Sequence, residues 1–240
     1  MHKFKIHHFK LLSSTQDKAK EFARKGISGI VVVSDVQTKG KGRFKRKWHS
    51  DKGGMFFSIL LKPKNAQNSQ YLTFAAAIAV VNSLKKIARL NTKIKWPNDV
   101  HFNKRKLCGI LTEGIFGKEN YVIVGIGVNV NQDKFPIDIR GIATSLKIIK
   151  RKEFDIKKLT HYILNEFSIL YNKYNNSELK YIKKMLERHC DTINKNIIVN
   201  TKTKKIEGKA VGIDDDCSLL IKLKNGKIAK IIEGDVIAGH

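Results

Sequence analysis

The sequence predicts an α+β fold, helices packed on a sheet, followed by a small β-barrel. Three observations predict it. A helix-spaced run of small and apolar residues, YLTFAAAIAVVNSLKKIARL, occupies the stretch from Asn68 to Leu90 and offers a face suited to close packing on a sheet. Three apolar strands then follow in quick succession, joined by links too short to connect parallel neighbours. Beyond residue 190 the hydrophobic period changes from 3.6 to 2. With 240 residues, 42% hydrophobic and 28% charged, and only 3 prolines, the chain is long enough for one or two cored domains, which excludes fibrous and disordered classes.

Each element has its own signal. Alternation over Phe4, Ile6 and Phe9 predicts a first strand, and Ser13, Ser14 and Thr15 supply capping hydroxyls for a short helix, DKAKEFARK, that stops at Gly26. Gly29–Asp35 reads as a buried strand, 36–52 as a long basic loop and Met55–Leu61 as a returning strand. After the long helix come strands at Lys93–Trp96, Leu107–Ile115 and Tyr121–Val130, with turn chemistry at 103–106 and 117–120. Asp155–Tyr174 and Ser177–His189 are amphipathic helices with lysines outside. The tail reads as strands NIIVNT, KIEGKAVGID, SLLIKL and KIAKIIEGDVI, broken at Asp214–Asp216 and by an Asn225-Gly226 hairpin turn. No repeat and no Pro- or Ser-rich linker occurs, so the boundary near 190 rests on the change of period.

Lysine and arginine number 47 against 21 acids, a net +26. Codon bias is the simplest main source, since lysine, asparagine and isoleucine share A/T-rich codons; nucleic-acid binding is the smaller alternative. Residues 1–120 carry 25 basic and 7 acidic groups (25 − 7 = +18) and residues 121–240 carry 22 and 14 (22 − 14 = +8), so an anion should meet the N-terminal half. The longest apolar stretch, Phe74–Val81, is far short of the ~20 residues of a membrane span, and the start lacks a signal peptide. Cys108, Cys190 and Cys217 form no C-x-x-C pair, which argues against a disulfide framework or zinc knuckle. A soluble cytoplasmic protein is expected.

Four stretches have the residue types that chemistry needs. Lys39, Lys41, Arg43, Lys45, Arg46 and Lys47 alternate with Gly40 and Gly42, either as a solvated basic loop or as a seat for phosphate or RNA. Lys95-Trp96-Pro97-Asn98-Asp99 is either an Asn-Asp turn or a rigid mount for two polar side chains. Lys106, entering an apolar strand, either snorkels at an edge or aims a cation into a pocket. Gly125, Gly127 and Asn129 end a strand with two bare positions and an amide that could pair with a heterocycle. No P-loop, dinucleotide fingerprint, H-E-x-x-H or G-x-S-x-G is present.

Taken in order, Ser14-Thr15-Gln16, Gln37-Thr38 with GKGRFKRKW (40–48), KWPNDV (95–100), RKLCGILTE (105–113), GIGVNVN (125–131) and ATSL (143–146) resemble the biotin protein ligase family. The resemblance implies a mixed-sheet catalytic domain packed with helices (1–190, binding biotin and ATP) and an SH3-like barrel (191–240). It also implies that the helix-turn-helix repressor module of many bacterial members is absent, so no specific DNA partner is expected. The implied reaction activates biotin with ATP to biotinyl-5′-AMP and transfers biotin to a lysine of a biotin carboxyl carrier protein, with no membrane partner and a monomer or homodimer as the assembly.

By the same resemblance, Lys106, Arg43 and Asp99 are the catalytic set. Ser14, Thr15, Gln16, Gln37, Gly40, Lys41, Gly42 and Gly109 join Arg43 and Lys106 around biotin, and Arg43, Trp48, Lys106 and Asn129 contact the adenylate. Magnesium should arrive with ATP, with Asn98 and Asp99 as the side chains nearest to it. The family loop usually reads G-R-G-R-x-G-R-x-W, and this chain departs from it with Lys41 for arginine and Lys45 for glycine. Two other readings are a lipoate or octanoate ligase of the same fold, which the polar residues 14, 15 and 37 disfavour, and a non-catalytic basic RNA-binding module.

Overall fold

A computed structural model describes residues 4–238. The first layer is a seven-stranded sheet of β1 (Lys5–Leu12), β2 (Ile30–Gln37), β3 (Met55–Leu61), β4 (Lys93–Lys95), β5 (Asp99–Phe102), β6 (Arg105–Ile115) and β7 (Tyr121–Val128). Its spatial order is β1-β2-β3-β7-β6-β5-β4. Helix α1 (Thr15–Arg24) crosses from β1 to β2, which makes that pair parallel, while every other neighbour in the sheet is antiparallel. The sheet is therefore mixed, as the family resemblance implies.

The helix-spaced run becomes α2 (Gln70–Ala88), and 13 of its 19 residues are buried because it lies between the sheet and α4 (Ile156–Asn175). By length and composition alone this helix could cross a bilayer, but its apolar surface is spent on the core. Helix α5 (Leu179–His189) completes that layer, a short α3 (Leu146–Lys150) precedes it, and α1 covers the opposite face of β2, β3 and β7. Coverage on both faces explains why β3 is buried at all seven positions.

Two details differ from the sequence reading. The four residues of β5 sit between the Pro97 turn and a turn at Asn103 and Lys104, both at positive φ (48° and 64°), so neighbouring turn chemistry hides a strand in the sequence. The final apolar run is two strands, β11 (Ile228–Ile231) and β12 (Asp235–Ala238). With β8 (Asn196–Asn200), β9 (Lys205–Ile213) and β10 (Leu219–Lys222) they form an antiparallel sheet ordered β11-β10-β9-β8-β12. The break falls at Gly234, where a Cβ would lie 2.4 Å from Val199 Cγ1.

The second sheet shares one continuous core with the first, running from Val31 to Val236. Polar bolts fix the contact. Trp96 Nε1 donates to the Cys217 carbonyl (3.1 Å) and the Tyr71 hydroxyl to that of Asp215 (2.5 Å). At the junction Asp191 lies 3.0 Å from Nε2 of the buried His101 and 2.8 Å from Lys195 Nζ.

Candidate active site

A cavity of about 270 Å³ opens on the α1 face of the large sheet, and Ser14, Thr15, Gln16, Gln37, Lys41, Gly42, Arg43, Trp48, Asn98, Asp99, Lys106, Gly109 and Asn129 all line it. Residues up to 115 positions apart in sequence thus meet at one place. Gly40 stands apart. It is buried at the neck of the basic loop, where a Cβ would come 2.4 Å from both Ser50 Oγ and the Trp48 carbonyl.

The neutral polar wall is built on regular elements. Ser14 is at the N-cap position of α1, yet its hydroxyl caps nothing. Its Oγ is buried without a hydrogen-bond partner, against the capping role that the sequence suggests. Thr15 donates to Gln37 Oε1 through its backbone N–H (2.8 Å) and its hydroxyl (3.1 Å), and it accepts from Ser58 Oγ (2.8 Å). Gln37 Nε2 donates to Ser50 Oγ (2.8 Å). Gln16 Nε2 donates to the Leu111 carbonyl (2.9 Å), which leaves its Oε1 buried and unpartnered. Ser58 has no sequence signal because a serine inside the apolar run MFFSILL looks like any other buried serine, and Ser50 has none because it is one polar residue at the end of a polar loop.

The paired glycines have a steric reason. Gly109 on β6 lies directly across from Gly127 on β7, and the Trp48 ring rests on both; a Cβ at either would approach that ring to 2.8 Å or 2.5 Å. Gly125 makes room for Gln16 in the same way (3.1 Å). Asn129 is buried with Nδ2 donating to the Thr144 carbonyl (3.0 Å).

The charged wall is held by loops. The basic segment is a small hairpin in which Lys41 bridges Lys47, Trp48 N donates to the Gly40 carbonyl (2.9 Å) and a 3-10 turn covers Arg43–Lys45. Phe44 and Lys45 both adopt positive φ (54° and 59°) at its tip, so the lysine that replaces a family glycine sits where glycine is least strained. Arg43 Nη1 donates to Asn98 Oδ1 (3.2 Å) and to the Gly234 carbonyl (3.3 Å), Arg46 pairs with Asp235, and Lys41 pairs with Asp17 (2.5 Å). Burial lowers the Arg43 pKa, and the nearby Asp235, Asp99 and Glu233 carboxylates oppose the shift, so the guanidinium keeps its charge.

Lys106 Nζ is 2.7 Å from Asp99 Oδ1 and 5.3 Å from the centre of the Trp48 ring. Its backbone is clamped by a strap, with Lys106 N donating to the Ile142 carbonyl (2.7 Å) and Thr144 N to the Lys106 carbonyl (3.0 Å). Phe135, Ile139, Ile142, His49 and Asp235 also line the cavity. No sequence signal singles them out, because strap and turn have no hydrophobic period. Among the described residues no group of three or more His, Cys, Asp or Glu side chains could hold a metal ion.

The chain belongs to the biotin/lipoate A/B protein ligase family, which residues 8–131 match. Within it the likeness is to biotin protein ligases, since residues 192–239 match the biotin protein ligase C terminal domain. The bifunctional ligase/repressor BirA of Bacillus subtilis is 39% identical over 95% of this chain and 72% of its own length. The biotin--[acetyl-CoA-carboxylase] ligase of Mycobacterium tuberculosis is 28% identical over 88% of this chain and 79% of its own. Among solved structures, the Aquifex aeolicus biotin protein ligase in complex with biotin and ATP superimposes with a TM-score of 0.89 at 33% identity, covering 98% of this chain and 99% of that one.

Proposed function

We propose that this chain condenses biotin with ATP to biotinyl-5′-AMP, releasing pyrophosphate, and passes the biotinyl group to a lysine of a biotin carboxyl carrier protein. The observation that carries the reading is the split lining of one cavity, with unpartnered buried oxygens on Ser14 and Gln16 and fixed cations at Arg43 and Lys106. Biotin's ureido group brings N–H donors that would satisfy those oxygens. A fatty acyl or dithiolane group would leave them unpaired, at about 1–3 kcal/mol each, which disfavours the lipoate reading. The RNA-binding reading loses support as well, because Lys41, Arg43 and Arg46 are engaged with Asp17, Asn98 and Asp235 and do not form a free basic stripe.

In this reading Lys106 stands between biotin's carboxylate and the α-phosphate, where two anions must approach, and a fixed cation there lowers the barrier most. Arg43 leaves Asn98 and Gly234 for the phosphate, and the hairpin tip closes over the adenylate to exclude water. Asp99, held by Lys106 until the substrates arrive, then orients the incoming lysine amine. Trp48 and Asn129 flank the nucleotide. Magnesium comes as the counter-ion of ATP; Asn98 and Asp99 are already engaged by Arg43, Ile110 and Lys106. The reading also assigns residues 1–190 to catalysis and 191–240 to an SH3-like barrel, and places the protein in the cytoplasm.

The test is biotin-dependent exchange between ATP and pyrophosphate, together with calorimetry against biotin and against lipoate. Exchange with biotin and heat with biotin alone are expected. Heat with lipoate and none with biotin would overturn the reading.

A further inference from the structure

A second cavity of about 310 Å³ abuts the first, and Arg43, Asn98, Ile110 and Leu111 line both. It exists because the sheet is open there. Strand β5 starts at Asp99, the last contacts across that edge are Ile110 N to the Asn98 carbonyl (2.9 Å) and Asn98 Nδ2 to the Ile110 carbonyl (2.8 Å), and beyond them β6 pairs with β7 alone among the described residues. Past this edge, Thr73 of α2 donates to Thr112 Oγ1 (2.7 Å), and Ile232, 77% exposed, stands at the outer rim beside the second sheet.

The chemistry of transfer requires such an opening. The hairpin and residues 135–143 line the first cavity, and in the ligase reading they close over the adenylate, so the amine needs a path to the acyl carbon from another side. We propose that the second cavity is the approach channel for the acceptor lysine of the carrier protein, admitting its side chain to the first cavity past Asn98. This rests on the ligase reading.

Phe74, Ile110, Leu111 and Ile232 supply apolar walls for the four-methylene stem. Asp216, the carboxylate in the lining, is neutralised by Lys230 (2.9 Å), so the channel holds no spare acid to trap an ammonium. Arg43 and Lys106 at the inner end favour the neutral amine, the form that attacks. The amine nitrogen bonds to the acyl carbon, the carbon–oxygen bond to phosphate breaks, AMP leaves with the electron pair, and the nitrogen's proton passes to the Asp99 carboxylate.

The test is a reversible plug. Ile232→Cys places a thiol on an exposed position; Cys217 lines the second cavity, so the variant is made in a Cys217→Ser background, and the remaining Cys108 and Cys190 are buried outside that lining. A bulky aromatic mixed disulfide is formed on this variant and later removed with dithiothreitol. Biotin-dependent ATP–pyrophosphate exchange and the rate of biotin transfer to a purified carrier domain are measured at each stage. The expected result is exchange within about twofold throughout, with transfer falling about tenfold or more under the plug and recovering on its removal. Unchanged transfer under the plug would overturn the proposal, and so would exchange that falls in step with transfer, since the cavity would then serve adenylation. Absence of exchange in the unmodified protein would instead sink the ligase reading beneath it.

Discussion

The two walls of the proposed catalytic cavity are built on opposite plans. Ser14, Thr15, Gln16 and Gln37 stand at the ends of α1 and β2, with Thr15 tied to Gln37 and to Ser58 on β3, and Gln16 to the Leu111 carbonyl. Arg43 and Arg46 hang from a hairpin whose tip has two consecutive residues at positive φ, and they are held by Asn98, the Gly234 carbonyl and Asp235. One wall is preorganised, with unmet hydrogen bonds facing the ligand; the other satisfies its own charges until a ligand replaces them. In the ligase reading, ring recognition is rigid while charge handling moves, which suits a reaction whose intermediate must be sealed in and then released.

Four substitutions sharpen that contrast. The largest effect is expected from Lys106→Ala, which removes a cation where charge develops and should cut pyrophosphate exchange by about 10³-fold or more, well beyond the loss of biotin affinity that follows from losing its contact with the carboxylate. Exchange near the wild-type rate would break the assignment. Ser14→Ala should lower biotin affinity by about tenfold, as one hydrogen bond is lost, while the ligand-free protein melts at the same temperature or higher because a buried unsatisfied hydroxyl is gone. A lower melting temperature together with unchanged affinity would mean that the hydroxyl serves the fold and not the ligand.

The third test concerns the bolt between the sheets. Burial alone would raise the Asp191 pKa, but its contacts with His101 and Lys195 outweigh that and hold the carboxyl at about 2, below its ordinary 3.8. A depressed carboxyl stabilises the fold fully above its unfolded value and loses that stabilisation as pH falls through the folded value. Asp191→Asn should therefore cost up to ~2 kcal/mol at pH 6, and the gap from wild type should close between pH 4 and pH 2 in denaturant melts. A gap independent of pH would show that the carboxylate's charge contributes nothing. The smallest effect is expected from Lys45→Gly, where relief of about 1 kcal/mol of backbone strain is offset by a similar entropic cost in the unfolded chain. Stability within about 0.5 kcal/mol of wild type is the expected result, and a loss near 2 kcal/mol would mean that the lysine side chain holds the tip.

Much of the cavity was legible in sequence because its groups lie at element ends, where a polar or glycine residue interrupts an apolar run: Ser14-Thr15, Gln37, Asn98-Asp99, Lys106 and Gly127 all have this form. What stayed hidden depends on contacts that no local pattern encodes. Ser58 is one polar residue inside MFFSILL, and only the position of Thr15 gives it meaning. Asp235 acquires a role only once the second sheet docks, and residues 135–143 only once they lie against Lys106. The missed β5 shows the opposite hazard, since its flanking turn residues were readable and masked the strand between them.

The separation of partners along the chain also sets an order of events. Thr15 and Gln37 are 22 residues apart, whereas Arg43 and Gly234 are 191 apart. Loop-closure entropy delays the longer contact, and ordering the hairpin requires both sheets to be in place. The neutral wall, whose longest contact spans the 95 residues from Gln16 to Leu111, can therefore close before the tie between Arg43 and Gly234, and in the ligase reading the seat for biotin is complete before the charged wall that activates it.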